Sequence, residues 1–193
     1  MNTVVLDISI SLDGYVAAAG RTAEAPLGAG GERLHEWAFG RDEQSRALLR
    51  EAVSGLGAVI TGRRNYDDSI AWWEADGPSG PARRPTFVVT HAAPERSPED
   101  GVYTFVTGGI EDALEQASRA AGDQVVAVMG GADLAQQYLA AGLVDEISLH
   151  VVPVLFGAGT RLFGDLPGGH VELETVGVVA APSATHTRFR VIR

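Results

Sequence analysis

The chain has 193 residues, enough for one sizeable core and short for two, so a single domain over residues 1–193 is expected. Its formal net charge of −10 comes from acids spread along the chain, and no Lys/Arg block is present to track a phosphate backbone, which argues against a nucleic-acid partner. The absence of cysteine excludes disulfides, thiolate metal sites and a catalytic thiol, and no apolar run has the length or flanks of a signal peptide or membrane span; a cytoplasmic protein is expected.

"VVLDISIS" (4–11) alternates apolar and polar residues, the period of a strand with unlike faces. Val4, Leu6, Ile8 and Ile10 share one face, and Val5, Asp7, Ser9 and Ser11 the other. Residues 12–31 carry an Asp-Gly pair, further glycines and Pro26 without a sustained period; they read as a long loop of the kind that serves as a lid. The spacing over 42–56 predicts an amphipathic helix. A short buried strand "AVITG" (58–62) leads into helical "RRNYDDSI" (63–70), and strands follow at "TFVVT" (86–90) and "VYTFVT" (102–107). A helix over 110–121 ends at Gly122, a buried strand covers "QVVAVMG" (124–130), and a helix begins at once and stops at Gly142. "VDEISLHVVPVLF" (144–156) reads as a long strand, exposed enough to pair or pack across a two-fold axis in a homodimer, and 171–180 and 184–193 as an antiparallel pair around Pro182. Strand–helix alternation in apolar runs predicts an α/β fold: a mostly parallel central sheet with helices on both faces and an antiparallel C-terminal strand pair.

Ligands of such sheets collect beyond the carboxyl ends of the strands, where helix N-termini expose N–H groups. Three junctions here fit. In "VMGGADL", Gly130 and Gly131 separate a strand from a helix and let an anionic group approach the backbone; a tight turn needing positive φ is the alternative. In "VITGRRN", Arg63 and Arg64 open a helix whose dipole disfavours them, which suggests a bound anion; arginine stems covering surface are the alternative. In "FVVTHAAP", Thr90 and His91 offer donors at a third strand end, although a lone His91 also suits solvated surface. Together the three suggest a ligand with several phosphates, such as a dinucleotide. G-x-G-x-x-G, P-loop, H-E-x-x-H and G-x-S-x-G patterns are all missing, which disfavours ordinary Rossmann, P-loop, zinc and hydrolase readings; no metal site is expected. Asp7, in the middle of a central strand, is costly to bury unless paired or functional; it is a candidate acid, base or substrate anchor, or else is satisfied by a neighbouring Ser, Thr or Arg.

These junctions, in this order, resemble the dihydrofolate reductase superfamily, and more closely its branch containing the reductase domain of the bifunctional riboflavin-biosynthesis deaminase-reductase. The resemblance covers nearly the whole chain and rests on "SISLDGYVA", "GAVITGRRNYDDS", "FVVTH" and "VVAVMGGADLAQQYLAAGLVDEISLHVVPVLFGAGTRLF", with "GGERLHEWAF" marking a subgroup. It implies a three-layer dihydrofolate reductase-like fold and NADPH as cofactor. By motif, Gly62, Arg63, Arg64 and Asn65 would hold the pyrophosphate and the ribose phosphate. Thr90, His91 and Thr107 would lie near that phosphate and the adenine. Met129, Gly130, Gly131, Ala132, Asp133 and Leu134 would receive the pyrophosphate and nicotinamide ribose, and Ser9, Ile10 and Val16 would contact the nicotinamide. The acid of ordinary dihydrofolate reductases falls by ungapped counting on Arg46, with Asp42 about one turn away; Asp7, projected from the strand that lines the pocket, is the candidate replacement carboxylate, with Asp42 or neither as the alternatives. No zinc-binding deaminase part is present; a riboflavin-pathway reductase of this kind would act alone. The leading expectation is an NADPH-dependent oxidoreductase delivering hydride to a small heterocycle, pterin-like or ribosylaminopyrimidine-like. A nucleotide-binding module of the same fold without turnover and a flavin-binding oxidoreductase are the alternatives.

Overall fold

The structure, a computed structural model, describes residues 2–164 and 169–193. Ten strands and five α-helices are seen among them: β1 Val4–Ser11, β2 Tyr15–Ala18, α1 Glu36–Phe39, α2 Glu43–Gly55, β3 Leu56–Gly62, α3 Arg63–Trp73, β4 Thr86–Val89, β5 Tyr103–Val106, α4 Ile110–Ala121, β6 Val125–Val128, α5 Ala132–Ala140, β7 Glu146–Val152, β8 Gly159–Arg161, β9 Leu173–Ala180 and β10 Thr185–Val191. Eight strands form one sheet in the order β5-β4-β3-β6-β1-β7-β10-β9. From β5 to β7 every pairing is parallel, and β10 joins antiparallel to β7 and β9, so the mostly parallel sheet and its C-terminal pair are as the sequence predicts.

Burial follows the two periodicities. Leu6, Ile60, Val126 and Val128 turn to one face and are covered by Ala113 and Ala117 of α4 and Leu134, Ala135 and Tyr138 of α5. Small residues on α4 let that helix sit close on the strands, and burying apolar side chains this fully stabilises by about 1.5–3 kcal/mol each. On the opposite face, Leu34 and Trp37 from the 31–39 stretch pack with Leu49, Val152 and Ala184. Tyr66 of α3 meets Tyr103 and Phe105 edge-on.

Three sequence expectations change. The 12–31 segment is not wholly irregular: Tyr15–Ala18 pairs with Gly159–Arg161 as a separate two-stranded ribbon. The strand expected over 144–156 stops at Val152, just before Pro153, because proline offers no ladder N–H. That strand is also interior, flanked by β1 and β10, so it has no free edge to present to a second copy; β5 and β9 are the edges.

One feature of the ladder positions the site. β1 is paired with β6 only over Val4–Leu6, whereas its pairing with β7 runs on to Ser11. Beyond Leu6 and Val128 the sheet therefore splits, leaving Asp7–Ser11 with one open side. The chain after β6 turns away at Gly130–Gly131, a cis peptide, to enter α5.

Candidate functional site

The wall of the split on the α5 side is built by a short hydrogen-bond lattice. Gly130 O accepts from Gly62 N at 2.9 Å and from the Thr61 hydroxyl at 3.1 Å. The Asn65 amide donates to Met129 O and to Thr61 Oγ1, both at 2.9 Å. These bonds tie the end of β3 to the end of β6. Gly130 has φ +88°, a region that side chains rarely adopt, and a Cβ there would point 3.5 Å from Ile8 Cδ1, which places the turn directly against β1.

The helices that leave this edge are unusual in their caps. α2 has an ordinary one, with Asp42 Oδ2 accepting from Ser45 N at 2.7 Å. By contrast α3, α4 and α5 all have glycine at the N-cap, Gly62, Gly109 and Gly131, and no side chain caps any of them. Their first-turn N–H groups thus lack a side-chain acceptor at the carboxyl edge of the sheet. α4 and α5 have acids in the first turn to offset the dipole; α3 has none and begins with two arginines.

The expected cofactor residues divide by what already occupies them. Arg63 is paired with Asp67 and donates to Ala92 O at 2.7 Å, so its charge is compensated within the chain. Arg64 is exposed and has no ion-pair or hydrogen-bond partner among the described residues. The Thr90 hydroxyl closes a local turn onto Ala92 O at 2.7 Å, while His91 and Thr107 are exposed at the ends of β4 and β5. Asp133 accepts from Gln137 at 2.8 Å; Ala132 and Leu134 are buried, and Met129 packs on Ala127. Ile10 is buried in the main core and Val16 packs against it. Ser9 is buried and accepts from the Trp37 indole at 2.9 Å.

Across the split stands Asp7. It is satisfied by none of the residue types expected from sequence: His150 Nε2 lies 3.1 Å from Asp7 Oδ1. The strand register explains how. Ser9, His150 and His186 are consecutive partners across β1, β7 and β10, so they form one rung. His150 Nδ1 faces His186 Nδ1 at 2.8 Å, and His186 Nε2 meets Ser45 Oγ at 3.0 Å. Trp37 covers the rung, its ring centroid 4.1 Å from that of His150 and 4.9 Å from that of His186. Burial pushes His186 below the ordinary imidazole value, His150 adds to this, and Asp42 and Asp7 oppose it. His35, although exposed by area, is lowered by desolvation and then by His150. Arg46, where the ordinary acid was expected by counting, is exposed and lies 3.9 Å from Glu43.

The 12–31 segment is latched by Asp13, which is not among the residues predicted for the site. Asp13 accepts from the Ser11 hydroxyl at 2.6 Å, Gly157 N at 2.7 Å and Phe156 N at 3.1 Å. These bonds, the Ser11 one first, hold its carboxyl down at about 2 against desolvation. Asp13 and Gly14 form the Asp-Gly pair that reads as part of a long loop; the clasp to residues 156–157 is non-local and leaves no spacing signal. A shallow hollow of about 310 Å³ over α3, lined by Tyr66, Asp67, Ile70, Pro94, Arg96, Ser97 and Pro98, contains none of the Asp7 rung.

The split, mostly parallel sheet with its antiparallel C-terminal pair belongs to the class of dihydrofolate reductase-like folds. Within that class the chain belongs to the RibD C-terminal domain family, whose model matches residues 2–187. It is similar in structure to a protein of Shewanella sp. PV-4 assigned to riboflavin biosynthesis (24% identity, TM-score 0.70, 100% of both chains). It is similar also to RibD of Acinetobacter baumannii (18% identity, TM-score 0.69, 100% of this chain and 59% of that one). Dihydrofolate reductase from Enterococcus faecalis, solved with NADP(H), matches at 15% identity and TM-score 0.61 over 99% of this chain and 97% of that one. At these identities the structural likeness speaks to the fold. A search of curated protein sequences finds no match.

Proposed function

We propose that this oxidoreductase domain is an NADPH-dependent reductase acting on a small heterocycle with a conjugated C=N or C=O bond, pterin-like or ribosylaminopyrimidine-like. The observation that carries this reading is the split between β1 and β6, with phosphate-ready backbone on one lip and Asp7 on the other. The donor set fits a dinucleotide: N–H groups opening α3 and α5, a glycine turn without Cβ atoms, and exposed Arg64, His91 and Thr107. Asn65 and Thr61 serve as braces for that turn, since their side chains are already spent on it. NADPH, when bound, supplies the hydride.

The remaining chemistry falls to the chain. Asp7 Oδ2 has no hydrogen-bond partner among the described residues, and the side chain is 20% exposed, so it can hold a substrate N–H or hand over a proton while Oδ1 stays on His150. The ribbon of β2 and β8, latched by Asp13, closes over the split and excludes water. A homodimer remains part of the proposal, with the free β9 edge, where Val176 and Val178 are exposed, as its surface in place of β7.

Titration of the purified protein with NADPH and NADH, followed by nicotinamide fluorescence, tests the reading; binding of neither overturns it. In a panel of pterins, quinones and ribosylaminopyrimidines, oxidation of NADPH by one class names the substrate, and binding without oxidation by any supports the turnover-free module. Asp7→Asn is expected to cut turnover by about 100-fold or more, the usual range for a positioned acid–base group, with NADPH affinity changed less than about twofold.

A further inference from the structure

The Asp7 carboxylate is backed by two buried imidazoles that the reductase reading does not use. His150 and His186 are 8% and 5% exposed, lie under Trp37, and face each other Nδ1 to Nδ1 at 2.8 Å. At that distance a hydrogen must lie between the two nitrogens, one donating and the other accepting. Beyond them His186 Nε2 meets the Ser45 hydroxyl, and Ser45 is itself bonded to Asp42, whose carboxyl is lowered by the Ser45 backbone N–H and then by its side chain.

We propose that His150 and His186 act as a joint one-proton store for Asp7, loaded from water and discharged through His150 Nε2 while the cleft is closed. This rests on the reductase reading above.

The donor and acceptor inventory permits a single loaded state. Both Nε2 atoms carry hydrogen, one directed at Asp7 Oδ1 and the other at Ser45 Oγ, and one proton is shared between the two Nδ1 atoms. The Ser45 hydroxyl then turns its hydrogen to Asp42. Carboxylates thus terminate the chain at both ends, and one positive charge is balanced by Asp7 on β1 and Asp42 at the start of α2. A second added proton would set two N–H groups against each other across 2.8 Å, so the pair titrates once. The directions agree: His186 lies below its ordinary value, by burial and by repulsion from His150. Among the described residues the remaining titratable group facing the pair is His35, from the turn before α1, which His150 also lowers; β9 offers Val179 opposite His186.

During reduction the carbon of the C=N or C=O bond takes the hydride that NADPH supplies, His150 Nε2 passes its proton to Asp7, and the substrate nitrogen or oxygen takes that proton from Asp7, which begins and ends the step as a carboxylate. The pair falls from one positive charge to neutral, with the shared hydrogen settling on His150 Nδ1. One hydride and one proton have been added to the substrate, and the pair has lost one proton. When the cleft opens, water returns a proton to His150 Nε2 by way of Asp7. His150 and His186 are positioning residues in this scheme; Asp7 alone meets the substrate.

The test reads the imidazoles directly and needs no turnover. Long-range ¹H–¹⁵N spectra of ¹⁵N-histidine-labelled full-length protein, titrated without cofactor from pH 8 to 5, are expected to show the Nδ1 signals of His150 and His186 moving together at one midpoint with uptake of one proton. In Asp7→Asn, which removes the facing negative charge, that midpoint falls. Independent titration of the two rings, or a midpoint unmoved in Asp7→Asn, overturns the proposal. His186→Gln is expected to lower turnover about tenfold to 100-fold and to erase the corresponding limb of the pH–rate profile, with NADPH affinity unchanged; an unaltered profile also overturns it. Failure of NADPH to bind at all sinks the reductase reading and leaves the imidazole spectra to report on the pair by themselves.

Discussion

At the scale of the residue, the rung beneath Trp37 gives this protein a pH dependence that can be derived in sign. The unfolded chain offers His186 and His35 their ordinary value of about 6.5, and the fold lowers both, His186 chiefly by burial and then by His150. Below about pH 6.5 the unfolded state therefore binds more protons than the native one, so stability is fully present above that value and is lost as pH falls through the lower native values. The melting temperature is expected to drop between pH 7 and pH 5 in a scanning fluorimetry series. His186→Gln should start lower, having lost its bonds to His150 and Ser45, yet fall less steeply; an equally steep fall would place the dependence elsewhere. Asp42, Glu43 and Asp13 titrate in a separate acid window, since all three are lowered carboxyls. Sequence periodicity was enough to put Asp7 and Ser9 on the face opposite Leu6 and to mark Asp7 as needing a partner. It could not supply the partner. His150 is 143 residues from Asp7 and His186 a further 36 away, and only the register of three adjacent strands joins them. The available signal was a histidine in the buried phase of each of two strands, easily taken for a lone core histidine.

At the scale of the element, the β2–β8 ribbon, the proposed lid, is held by backbone fit as well as by the Asp13 latch. Gly159 sits at φ +145° opposite Ala18, and a Cβ there would lie 2.0 Å from Ala17 O, a contact with backbone that no rotamer relieves. Gly14 has φ +86° and open space where its Cβ would be, so it isolates conformational strain from collision. Gly159→Ala should cost about 1–3 kcal/mol, the range of overpacking, and Gly14→Ala about 1 kcal/mol. Hydrogen exchange would separate them: Gly159→Ala speeds exchange across 15–18 and 159–161 while the eight-stranded sheet stays protected. Uniform acceleration over the whole sheet would show that the ribbon is not an independent element. The ribbon was illegible in sequence because its partners are four and three residues long and 141 or more residues apart in register. α4 and α5 were legible because their stops are local, whereas the four-residue α1 was not among the expected helices. Gly122 and Gly142, at φ +61° and +66°, end α4 and α5 where a glycine is the cheapest residue to place.

At the scale of the whole molecule, the split makes the sheet two slabs joined through a three-residue ladder, Val4–Leu6 against Val126–Val128. A ligand lying across the split touches both slabs, so its binding energy adds to the energy holding them together. At a concentration 100 times its Kd it would stabilise the fold by about 2.7 kcal/mol. A net charge of −10 opposes a polyanionic cofactor, so discrimination must come from local donors, and Arg64 is an exposed cation beside the α3 N-terminus without a partner among the described residues. NADPH and NADH differ by one phosphate. If Arg64 meets that phosphate, Arg64→Ala should weaken NADPH by about tenfold, some 1.4 kcal/mol, and leave NADH nearly as it was. Arg63→Ala should instead lower stability without choosing between them, because Arg63 is already spent on Asp67 and Ala92 O. Thermal shifts with both cofactors on both variants read the four quantities in one format. Equal losses for NADPH and NADH in Arg64→Ala would move the discriminating contact to His91 or Thr107, at the ends of the next two strands along the same edge.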